Sequence, residues 1–358
     1  MSFLKYDGIG ISAMAAAVPK RIINNYEYTE FFPADQVREV VDKVGVYERR
    51  FADENTCSSD LCFAAAEKLI ADNGVDRSEI DLLVFISQTP DYRMPATSII
   101  LQHRLGLPNS CIAFDINLGC SAFLYGLSVV YGMMSNGNIR KALILDGETR
   151  SKVYSPKDRR SAFIFGDGGI AALIEKDNKF GVSYFSLNSD GSRSDLIMIK
   201  GGGYRNMSSV ETLKEKVVDE YGNIRSDEQG YMNGADVFNF VIREIPRDIK
   251  KTLEYSNCTT EQLDYIVFHQ ANNFINAYIA KKMKLDTSKI PSTIAKYGNT
   301  SSVSVPLTIV SELKDKLNGN RKLLLSAFGV GMTWATGIIP FADCQISEIV
   351  EVCNGSAI

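Results

Sequence analysis

The stretch Cys111-Ile-Ala-Phe-Asp-Ile-Asn-Leu-Gly-Cys-Ser-Ala-Phe-Leu-Tyr-Gly-Leu127 joins an apolar strand pattern to a helical pattern. The strand pattern ends at Gly119, and the helical pattern begins with Cys120. A thiol in the first turn of a helix lies at the positive end of the helix dipole, which favours the thiolate and lowers its pKa. This position makes Cys120 a candidate nucleophile, although a lone cysteine in an apolar run is more often buried and inert.

On both sides of this stretch, strand and helix patterns alternate. Short apolar runs predict buried strands, and apolar residues at helical spacing predict the helices between them, the second of which Ser58 or Ser59 can cap. The predicted strands are residues 8–17, 82–86, 142–146, 170–174 and 265–268, and the predicted helices are residues 34–44, 58–73, 97–105, 120–127 and 303–317. Alternation of this kind indicates an α/β fold with parallel sheets.

The composition limits the class of protein. A chain of 358 residues exceeds the size to which one core usually grows, so two domains or a duplicated domain are expected. A net charge of −4 without a block of Lys and Arg argues against nucleic acid or a membrane surface as the main partner. Seven cysteines without CxxC spacing fit reduced thiols, so we expect neither disulfides nor a metal or other cofactor. The N-terminus lacks a signal-peptide core and no apolar run reaches membrane-spanning length, which predicts a cytoplasmic protein.

The second half of the chain repeats the first. Ser78-Glu-Ile-Asp-Leu-Leu-Val-Phe85 resembles Glu261-Gln-Leu-Asp-Tyr-Ile-Val-Phe268, in which the aspartates are 264 − 81 = 183 positions apart. Arg140-Lys-Ala-Leu-Ile-Leu-Asp-Gly147 resembles Arg321-Lys-Leu-Leu-Leu-Ser326, at 321 − 140 = 181 positions. Two matches at nearly one offset indicate a gene duplication. The domain boundary is therefore expected near residue 176, which gives halves of residues 1–175 and 176–358, with a surface insertion at residues 206–230.

The offset connects Cys120 with residues of the second half. Its equivalent position lies in Lys296-Tyr-Gly-Asn-Thr-Ser-Ser302, where Asn299 occupies nearly the corresponding place. His269 directly follows a predicted strand, at the carboxyl edge where parallel sheets bind ligands. The segment Ala327-Phe-Gly-Val-Gly-Met-Thr-Trp334 contains glycines that can direct N–H groups into a site, as an oxyanion hole requires. A tight hairpin explains these glycines equally well.

These motifs resemble the β-ketoacyl-acyl-carrier-protein synthase III branch of the thiolase-fold condensing enzymes. The resemblance covers nearly the whole chain and rests on Gly45-x-x-Glu-Arg-Arg50, Asp115-x-x-x-x-Cys-x-x-Phe123, Phe165-Gly-Asp-Gly168, His269-Gln-Ala-Asn272 with Gly298-Asn-Thr-Ser301, and Phe328-Gly-x-Gly-x-Thr-Trp334. It implies a thiolase-like duplicated fold: two mixed α/β halves related by pseudo-twofold symmetry, in a five-layer αβαβα arrangement, assembled as a homodimer.

The resemblance also implies roles for the central residues. Cys120 would attack an acyl thioester and carry the acyl group, a task that suits a thiolate. The N–H of Cys120 and the backbone at Val330 and Gly331 would hold the first oxyanion. His269 and Asn299 would donate hydrogen bonds to the thioester carbonyl of malonyl carrier protein as CO₂ leaves.

Other matched positions concern the substrates. Phe328 matches a phenylalanine beside the departing carboxylate, where an apolar surface disfavours the charged ground state. Family members that use acyl-CoA stack its adenine between a tryptophan and an arginine; here Arg159 matches the arginine, but Glu39 replaces the tryptophan. Phe274 replaces a further arginine of the family. Arg159 and Asn272 are therefore candidate substrate-binding residues, and the expected donor is either a carrier-protein thioester or a CoA thioester held differently.

Two further matches concern protein partners. Lys281 and Lys282 match the basic pair to which the acyl carrier protein docks, although two lysines on a helix are often only a solvated face. Met94 matches the family residue that reaches across the dimer to close the partner's acyl pocket. Since methionine fills irregular space, the length of the acyl chain does not follow from it.

The leading hypothesis is a decarboxylative Claisen condensation in the synthesis of fatty acids or related specialised acyl chains, in which malonyl carrier protein attacks acyl-Cys120. An alternative within the same branch passes the acyl group from Cys120 to a hydroxyl or an amine. A thiolase proper is disfavoured because it needs a second cysteine near the last Gly-rich loop, and Cys344 lies thirteen residues beyond Gly331. A non-catalytic partner subunit is disfavoured because such subunits usually lose the nucleophile.

Overall fold

The structure is a computed structural model in which residues 2–353 are described. The strands in this range are β1 Ser2–Asp7, β2 Ile9–Pro19, β3 Ile22–Asn24, β4 Glu48–Arg50, β5 Leu82–Ile86, β6 Ile112–Ile116, β7 Lys141–Thr149, β8 Asp167–Lys176, β9 Val182–Ser189, β10 Ile197–Met198, β11 Lys216–Val217, β12 Ile224–Arg225, β13 Tyr231–Met232, β14 Tyr265–Phe268, β15 Asn320–Gly329, β16 Thr333–Ala342, β17 Gln345–Ile346 and β18 Val350–Val352. The α-helices are α1 Ala34–Val44, α2 Ser58–Asn73, α3 Thr97–Arg104, α4 Ala122–Asn136, α5 Val210–Leu213, α6 Gly234–Ser256, α7 Asn273–Met283, α8 Ile294–Tyr297 and α9 Ser304–Leu313. None of these helices is both long and apolar enough to cross a membrane.

The first large sheet is built mainly from the N-terminal half of the chain. Its strands follow the order β17-β2-β8-β7-β5-β6, and β18 also pairs with β2. Strand β5 is parallel to β6 and β7, whereas β8 is antiparallel to both β7 and β2. The sheet is mixed, as the family resemblance implies, and not parallel throughout as the alternation of patterns alone predicts.

The second large sheet has the order β1-β9-β16-β15-β14. Only the pair β14 and β15 is parallel in it. Strand β1 comes from the start of the chain and joins this sheet, while β17 and β18 from the end of the described chain join the first sheet. The sequence pattern missed β1, because this edge strand is largely exposed and carries few buried apolar residues.

The two sheets enclose one layer of helices and carry another on each outer face. Leu82, Val84 and Ile86 of β5 face a core shared with α4, α9 and the second sheet. Leu83 and Phe85, which point to the opposite face, pack with α2 and α3. Helices α6 and α7 cover the outer face of the second sheet. The predicted five-layer αβαβα arrangement is therefore confirmed.

The internal repeat recurs as a repeated set of contacts. The Asp81 N–H donates to the carbonyl of Lys141 at 3.0 Å, and its Oδ2 accepts from the Lys141 N–H at 3.2 Å. The Asp264 N–H donates to the carbonyl of Lys322 at 2.9 Å, and its Oδ2 accepts from the Lys322 N–H at 2.7 Å. Each aspartate thus ties the start of one strand, β5 or β14, to its parallel neighbour, β7 or β15. The boundary near residue 176 stays a prediction.

Two helix starts differ from the predictions. The helix predicted to begin at Cys120 begins at Ala122, because the Gly119 carbonyl accepts from the Ala122 N–H at 2.8 Å and closes a tight turn. Cys120 therefore lies in the turn that precedes α4. At the start of α2 the cap is Cys57 rather than Ser58 or Ser59, since Asp60 Oδ2 accepts from the Cys57 N–H at 2.8 Å.

Two segments of the second half also differ in detail. The helix predicted over residues 303–317 consists of α9 flanked by short 3₁₀ turns at Ser301–Val303 and Lys314–Lys316. The predicted insertion at residues 206–230 contains α5 and the small hairpin of β11 and β12. The Gly-rich segment is indeed a hairpin, whose loop of residues 330–332 joins β15 to β16.

Candidate active site

Cys120 lies half-buried in the turn before α4, between the two sheets. Its Sγ lies 3.7 Å from Ser301 Oγ, which belongs to the equivalent segment of the second half. Gly329 packs directly on this cysteine, since a Cβ at residue 329 would lie 2.7 Å from Cys120 Sγ. Val330 fills the space in front of Gly119, where a Cβ would lie 2.0 Å from its Cγ1. Glycine is therefore needed at both positions for the close approach.

The acidity of Cys120 differs from the sequence prediction. Burial raises the pKa of the Cys120 thiol, although the positive charge of Arg150 and the Ser301 hydroxyl act in the opposite direction. The cost of removing a thiolate from water is the larger effect here. The resting residue is therefore a thiol at neutral pH, with a cation nearby that favours the thiolate when it forms.

His269 follows β14 and is buried, with 2% of its surface exposed. Its Nδ1 lies 2.7 Å from Ser304 Oγ, and the same hydroxyl accepts a hydrogen bond from the Gln270 N–H at 3.3 Å. We assign the hydroxyl as the donor to Nδ1, and with this assignment the proton of the neutral ring lies on Nε2. Burial lowers the pKa of His269 to about 3, although a backbone interaction with Ser301 opposes this shift. His269 is therefore a neutral hydrogen-bond donor at Nε2.

Asn299 lies between α8 and the 3₁₀ turn at Ser301–Val303. Its N–H donates to the Ile164 carbonyl at 2.8 Å, and its own carbonyl accepts from the Gly166 N–H at 3.1 Å. The side-chain Oδ1 accepts from the Ser301 N–H at 2.9 Å. This bond fixes the orientation of the amide and leaves Nδ2 as the free donor.

A small cavity of about 70 Å³ brings these residues together. Its wall contains the three predicted catalytic residues Cys120, His269 and Asn299. The predicted residues Phe328 and Val330 also line it, and the Phe328 ring stands edge-on to His269, with the ring centroids 5.4 Å apart. The remaining lining residues are Arg150, Tyr154, Ile164, Phe165, Ile197, Met232, Gly234, Val237, Ala271, Asn272, Ile275 and Gly329.

A larger cavity of about 810 Å³ adjoins the small one. Ile164, Met232, Gly234, Asn272 and Ile275 line both cavities, so the two spaces are contiguous. The other residues of the larger wall include the cations Lys43, Arg159 and Arg160 and the aromatic residues Tyr221, Tyr231, Phe238 and Phe274.

Two predicted substrate-binding residues lie in this region. Arg159 lines the larger cavity but not the small one, and its Nη1 donates to Gln36 Oε1 at 3.0 Å. Asn272 lies where the cavities meet and caps α7 by accepting from the Ile275 N–H at 2.9 Å. The contiguous space offers a route from the surface to Cys120 between these two residues.

Four predicted residues lie outside both cavities. Gly331 stands next to Val330 in the hairpin loop but does not line the small cavity. Met94 is 78% exposed on the surface of the chain. Lys281 and Lys282 are exposed in the last turn of α7, and Lys282 Nζ donates to the Ile242 carbonyl at 2.6 Å.

The sequence reasoning missed Arg150, Tyr154 and Ser304. Arg150 begins a 3₁₀ turn directly after β7, which extends three residues beyond the predicted strand. A charged residue just past the carboxyl end of a buried strand was the available signal, because that edge is where ligands bind. Ser304 had no comparable signal, since it stands among other serines of a helix start.

The family models and the known relatives agree with this architecture. The model of 3-oxoacyl-[acyl-carrier-protein] synthase III matches residues 114–191, and the model of its C-terminal part matches residues 253–341. The chain is 33% identical to a putative 3-oxoacyl-[acyl-carrier-protein] synthase 3 of Campylobacter jejuni over 97% of this chain and 98% of the relative. It is 32% identical to a β-ketoacyl-[acyl-carrier-protein] synthase III of Streptococcus pneumoniae, over 92% of this chain and 98% of the relative.

Solved structures give the same result. A 3-oxoacyl-(acyl-carrier protein) synthase from Burkholderia xenovorans matches with a TM-score of 0.92 and 36% identity, over 98% of this chain and 99% of that one. A 3-oxoacyl-(acyl carrier protein) synthase III from Pseudomonas aeruginosa matches with a TM-score of 0.80 and 26% identity, over 95% and 100% of the two chains. The chain thus belongs to the 3-oxoacyl-[acyl-carrier-protein] synthase III family of thiolase-fold enzymes.

Proposed function

We propose that this protein is a condensing enzyme that loads an acyl group onto Cys120 and then joins it to a malonyl unit on a carrier protein. The observation that carries the proposal is the meeting of Cys120, His269 and Asn299, from three separate segments, at one small cavity. The relatives described above are all named as synthases, so transfer of the acyl group to a hydroxyl or an amine gains no support from them.

The first step exchanges one thioester for another. Cys120 Sγ forms a bond to the acyl carbon, the bond from that carbon to the donor's sulfur breaks, and the donor leaves as a thiol with the proton from Cys120. The N–H groups of Cys120 and Val330 provide the oxyanion hole. Gly331 supports this loop, because its φ of 134° is a conformation that other residues rarely adopt.

The second step forms the new carbon–carbon bond. His269 Nε2–H and Asn299 Nδ2–H donate to the thioester carbonyl of the malonyl group, which stabilises the enolate that forms as CO₂ leaves. The enolate carbon forms a bond to the acyl carbon, the bond from that carbon to Cys120 Sγ breaks, and the released thiolate takes a proton from solvent. The edge-on contact between Phe328 and His269 supports an apolar wall at this point. Removing one such donor typically slows a reaction by about 10²- to 10³-fold.

The larger cavity suits the arm of a CoA or carrier-protein thioester. Arg159 and its cationic neighbours offer charge for phosphate groups, while Phe274 lies where the arm would pass. Asn272 links this route to Cys120. Helix α7, whose first turn lines the route, carries Lys281 and Lys282 at its other end, which supports a carrier protein docking there.

We further propose a cytoplasmic homodimer. Strand β6 is an edge of the first sheet, and its first residue, Ile112, is 44% exposed. An unpaired edge with an exposed apolar residue is a ready surface for a second copy of the chain. Met94, also exposed, would then close the partner's acyl pocket.

Intact-protein mass spectrometry tests the function directly. The protein is incubated with acetyl-CoA or with acyl carrier proteins, the mass gain on Cys120 is measured, and malonyl carrier protein is added while CO₂ release is followed. We expect acylation, CO₂ release and a 3-oxoacyl product, with Cys120→Ala losing acylation and the 3-oxoacyl product and His269→Ala or Asn299→Ala losing the second step. Acylation without CO₂ release contradicts the condensation, and the absence of acylation by any donor contradicts the whole proposal.

A further inference from the structure

Arg150 is a buried charge that forms and breaks no bond in the condensation described above. It lies at the start of a 3₁₀ turn after β7, and only 7% of its surface is exposed. Its side chain lines the same small cavity as Cys120, and among the lining residues of that cavity it is the one Lys or Arg. Most of the other lining residues are apolar. Placing a guanidinium there is costly unless a partner compensates the charge.

The surrounding protein uses only part of the hydrogen-bonding capacity of Arg150. Its Nη2 donates to Tyr154 Oη at 3.1 Å, and its guanidinium carbon lies 5.3 Å from the centre of the Tyr154 ring. Its Nε is buried without a hydrogen-bond partner in the described chain. A guanidinium has five N–H donors, so most of its donor capacity stays available.

The nearest carboxylate does not supply the missing hydrogen bonds. Glu148 Oε2 lies 3.8 Å from Arg150 Nη1, which is too far for a hydrogen bond. The two oxygens of Glu148 already accept from the Gln88 N–H at 3.1 Å and from Thr89 Oγ1 at 3.0 Å. Glu148 therefore moderates the charge of Arg150 without occupying its N–H groups.

A second small polar space lies on the other side of Arg150. Arg150, Tyr154 and Phe165 line both the Cys120 cavity and this space of about 110 Å³. Its wall also contains Arg49, which is 2% exposed and whose Nη2 is likewise buried without a hydrogen-bond partner among residues 2–353. Unused guanidinium donors thus occur at two positions along one small space, which is the arrangement that binds an anionic oxygen group.

We propose that the acyl group loaded onto Cys120 is short and carries a carboxylate, which Arg150 binds. The inference rests on the proposed function and specifies its substrate class. A carboxylate matches the planar fork of a guanidinium and accepts two parallel hydrogen bonds. An alkyl chain would instead leave most N–H donors of the buried Arg150 without a hydrogen-bond partner. The small volume next to Cys120 favours a chain of a few carbons, with the carboxylate directed toward the second polar space.

The loading step keeps the chemistry of the proposed function. Cys120 Sγ bonds to the thioester carbon of a dicarboxylic acid, the bond to the CoA sulfur breaks, and CoA leaves as the thiol with the proton of Cys120. The distal carboxylate takes no part in the bond exchange. It serves as the group by which the cavity selects the chain.

Paired donors of equal shape test the inference. Succinyl-CoA and its uncharged isostere 4-methylpentanoyl-CoA are offered to the full chain, and the rates of Cys120 acylation at low donor concentration are compared by mass spectrometry. We expect the succinyl donor to react about 10- to 100-fold faster, the range for a hydrogen bond to a charged group. Equal rates, or a faster 4-methylpentanoyl donor, overturn the inference but leave the proposed function intact. If neither these donors, nor acetyl-CoA, nor acyl carrier proteins acylate Cys120, the proposed function itself fails.

Variants separate binding of the carboxylate from activation of the thiol. Arg150→Met removes the cation and slows every donor, because Arg150 also favours the Cys120 thiolate. The ratio of the acylation rates with the two donors is independent of that effect, and we expect this ratio to fall to about 1 in Arg150→Met. Arg150→Lys keeps the charge without the fork and should retain part of the preference. Arg247→Met, on the exposed side of α6, is the matched control and should leave the ratio unchanged. A preference that survives in Arg150→Met contradicts the role of Arg150.

Discussion

Ser304 determines whether His269 can act as a donor. Without its hydroxyl on Nδ1, the neutral imidazole can carry its proton on either nitrogen, and one of the two tautomers presents a lone pair to the cavity. The residue touches no substrate, so it positions a catalytic group rather than acting itself. Its effect should therefore be confined to the step in which His269 donates.

Ser304→Ala is expected to slow malonyl decarboxylation about 3- to 10-fold, the worth of one hydrogen bond, while acylation of Cys120 keeps its rate. The rate falls because, in part of the variant molecules, the His269 ring no longer carries its proton on Nε2. Nitrogen NMR of His269 should show a mixture of tautomers in the variant, and Ser304→Thr should restore both the tautomer and the rate. Equal losses in both steps would identify a purely structural role.

The buried His269 also predicts a pH dependence of stability. Its pKa is about 3 in the folded protein, against an ordinary value of 6.5. Between these values the unfolded chain binds a proton that the folded chain does not, so the free energy of unfolding decreases as the pH falls from about 6.5 toward 3. The contribution of this one residue is about 1.4 kcal/mol per pH unit.

Urea unfolding of the wild type and of His269→Gln at pH 7, 6 and 5 measures this contribution. Since the variant cannot take up the proton, its stability relative to the wild type should rise by about 1.4 kcal/mol per unit below about pH 6.5. Other titrating groups contribute equally to both proteins, so they cancel in the difference between the two free energies of unfolding. One such group is Asp167, because burial raises its pKa to about 6. A constant difference across this pH range would contradict a buried, neutral His269.

At the scale of elements, the hairpin of β15 and β16 decides how the second half reaches Cys120. Its last strand residue, Gly329, packs against the Cys120 side chain without space for a Cβ. The hairpin and the oxyanion function were competing explanations of its glycines in the sequence. In the folded chain they are compatible, because the end of the hairpin is the wall of the cavity.

Gly329→Ala should therefore lower the rate of Cys120 acylation by at least about 10-fold, since the new methyl group displaces Sγ from its position. The free energy of unfolding should fall by about 1–3 kcal/mol, as for other overpacked sites. Acylation kinetics and urea unfolding measure the two effects. Gly191→Ala is the control, because no atom of the described residues lies within 4 Å of a Cβ at that position. An unchanged acylation rate in Gly329→Ala would show that Cys120 does not need this close contact.

Some element boundaries match the sequence prediction and others do not, for physical reasons. Strands β5 and β14 match the prediction to the residue, because both faces of each are covered and the whole run is apolar. The start of α4 differs, since the turn at Gly119 depends on packing against Val330, which lies 211 positions away. Local pattern contains no information about such a distant contact.

At the scale of the whole molecule, duplication brings distant residues together. Cys120, His269 and Asn299 could be predicted, because each stands at the end of a strand or the start of a helix in a repeated pattern. Arg150 was missed although it directly follows a strand, because the apolar pattern ends at residue 146 and does not show that β7 continues to Thr149. The inference that Arg150 binds a carboxylate of the substrate needs the structure, which shows its distance to Glu148 and its position in the walls of two cavities.

The exposed edge at β6 gives the last prediction. If two chains associate through this edge, a charge at Ile112 is buried at the interface and opposes association. Ile112→Lys should therefore shift the protein from dimer to monomer in sedimentation-velocity experiments at micromolar concentration. Ile22→Lys is the matched control, since this isoleucine is 49% exposed in β3, outside the large sheets. A wild-type monomer, or a variant that stays dimeric, would contradict association through β6.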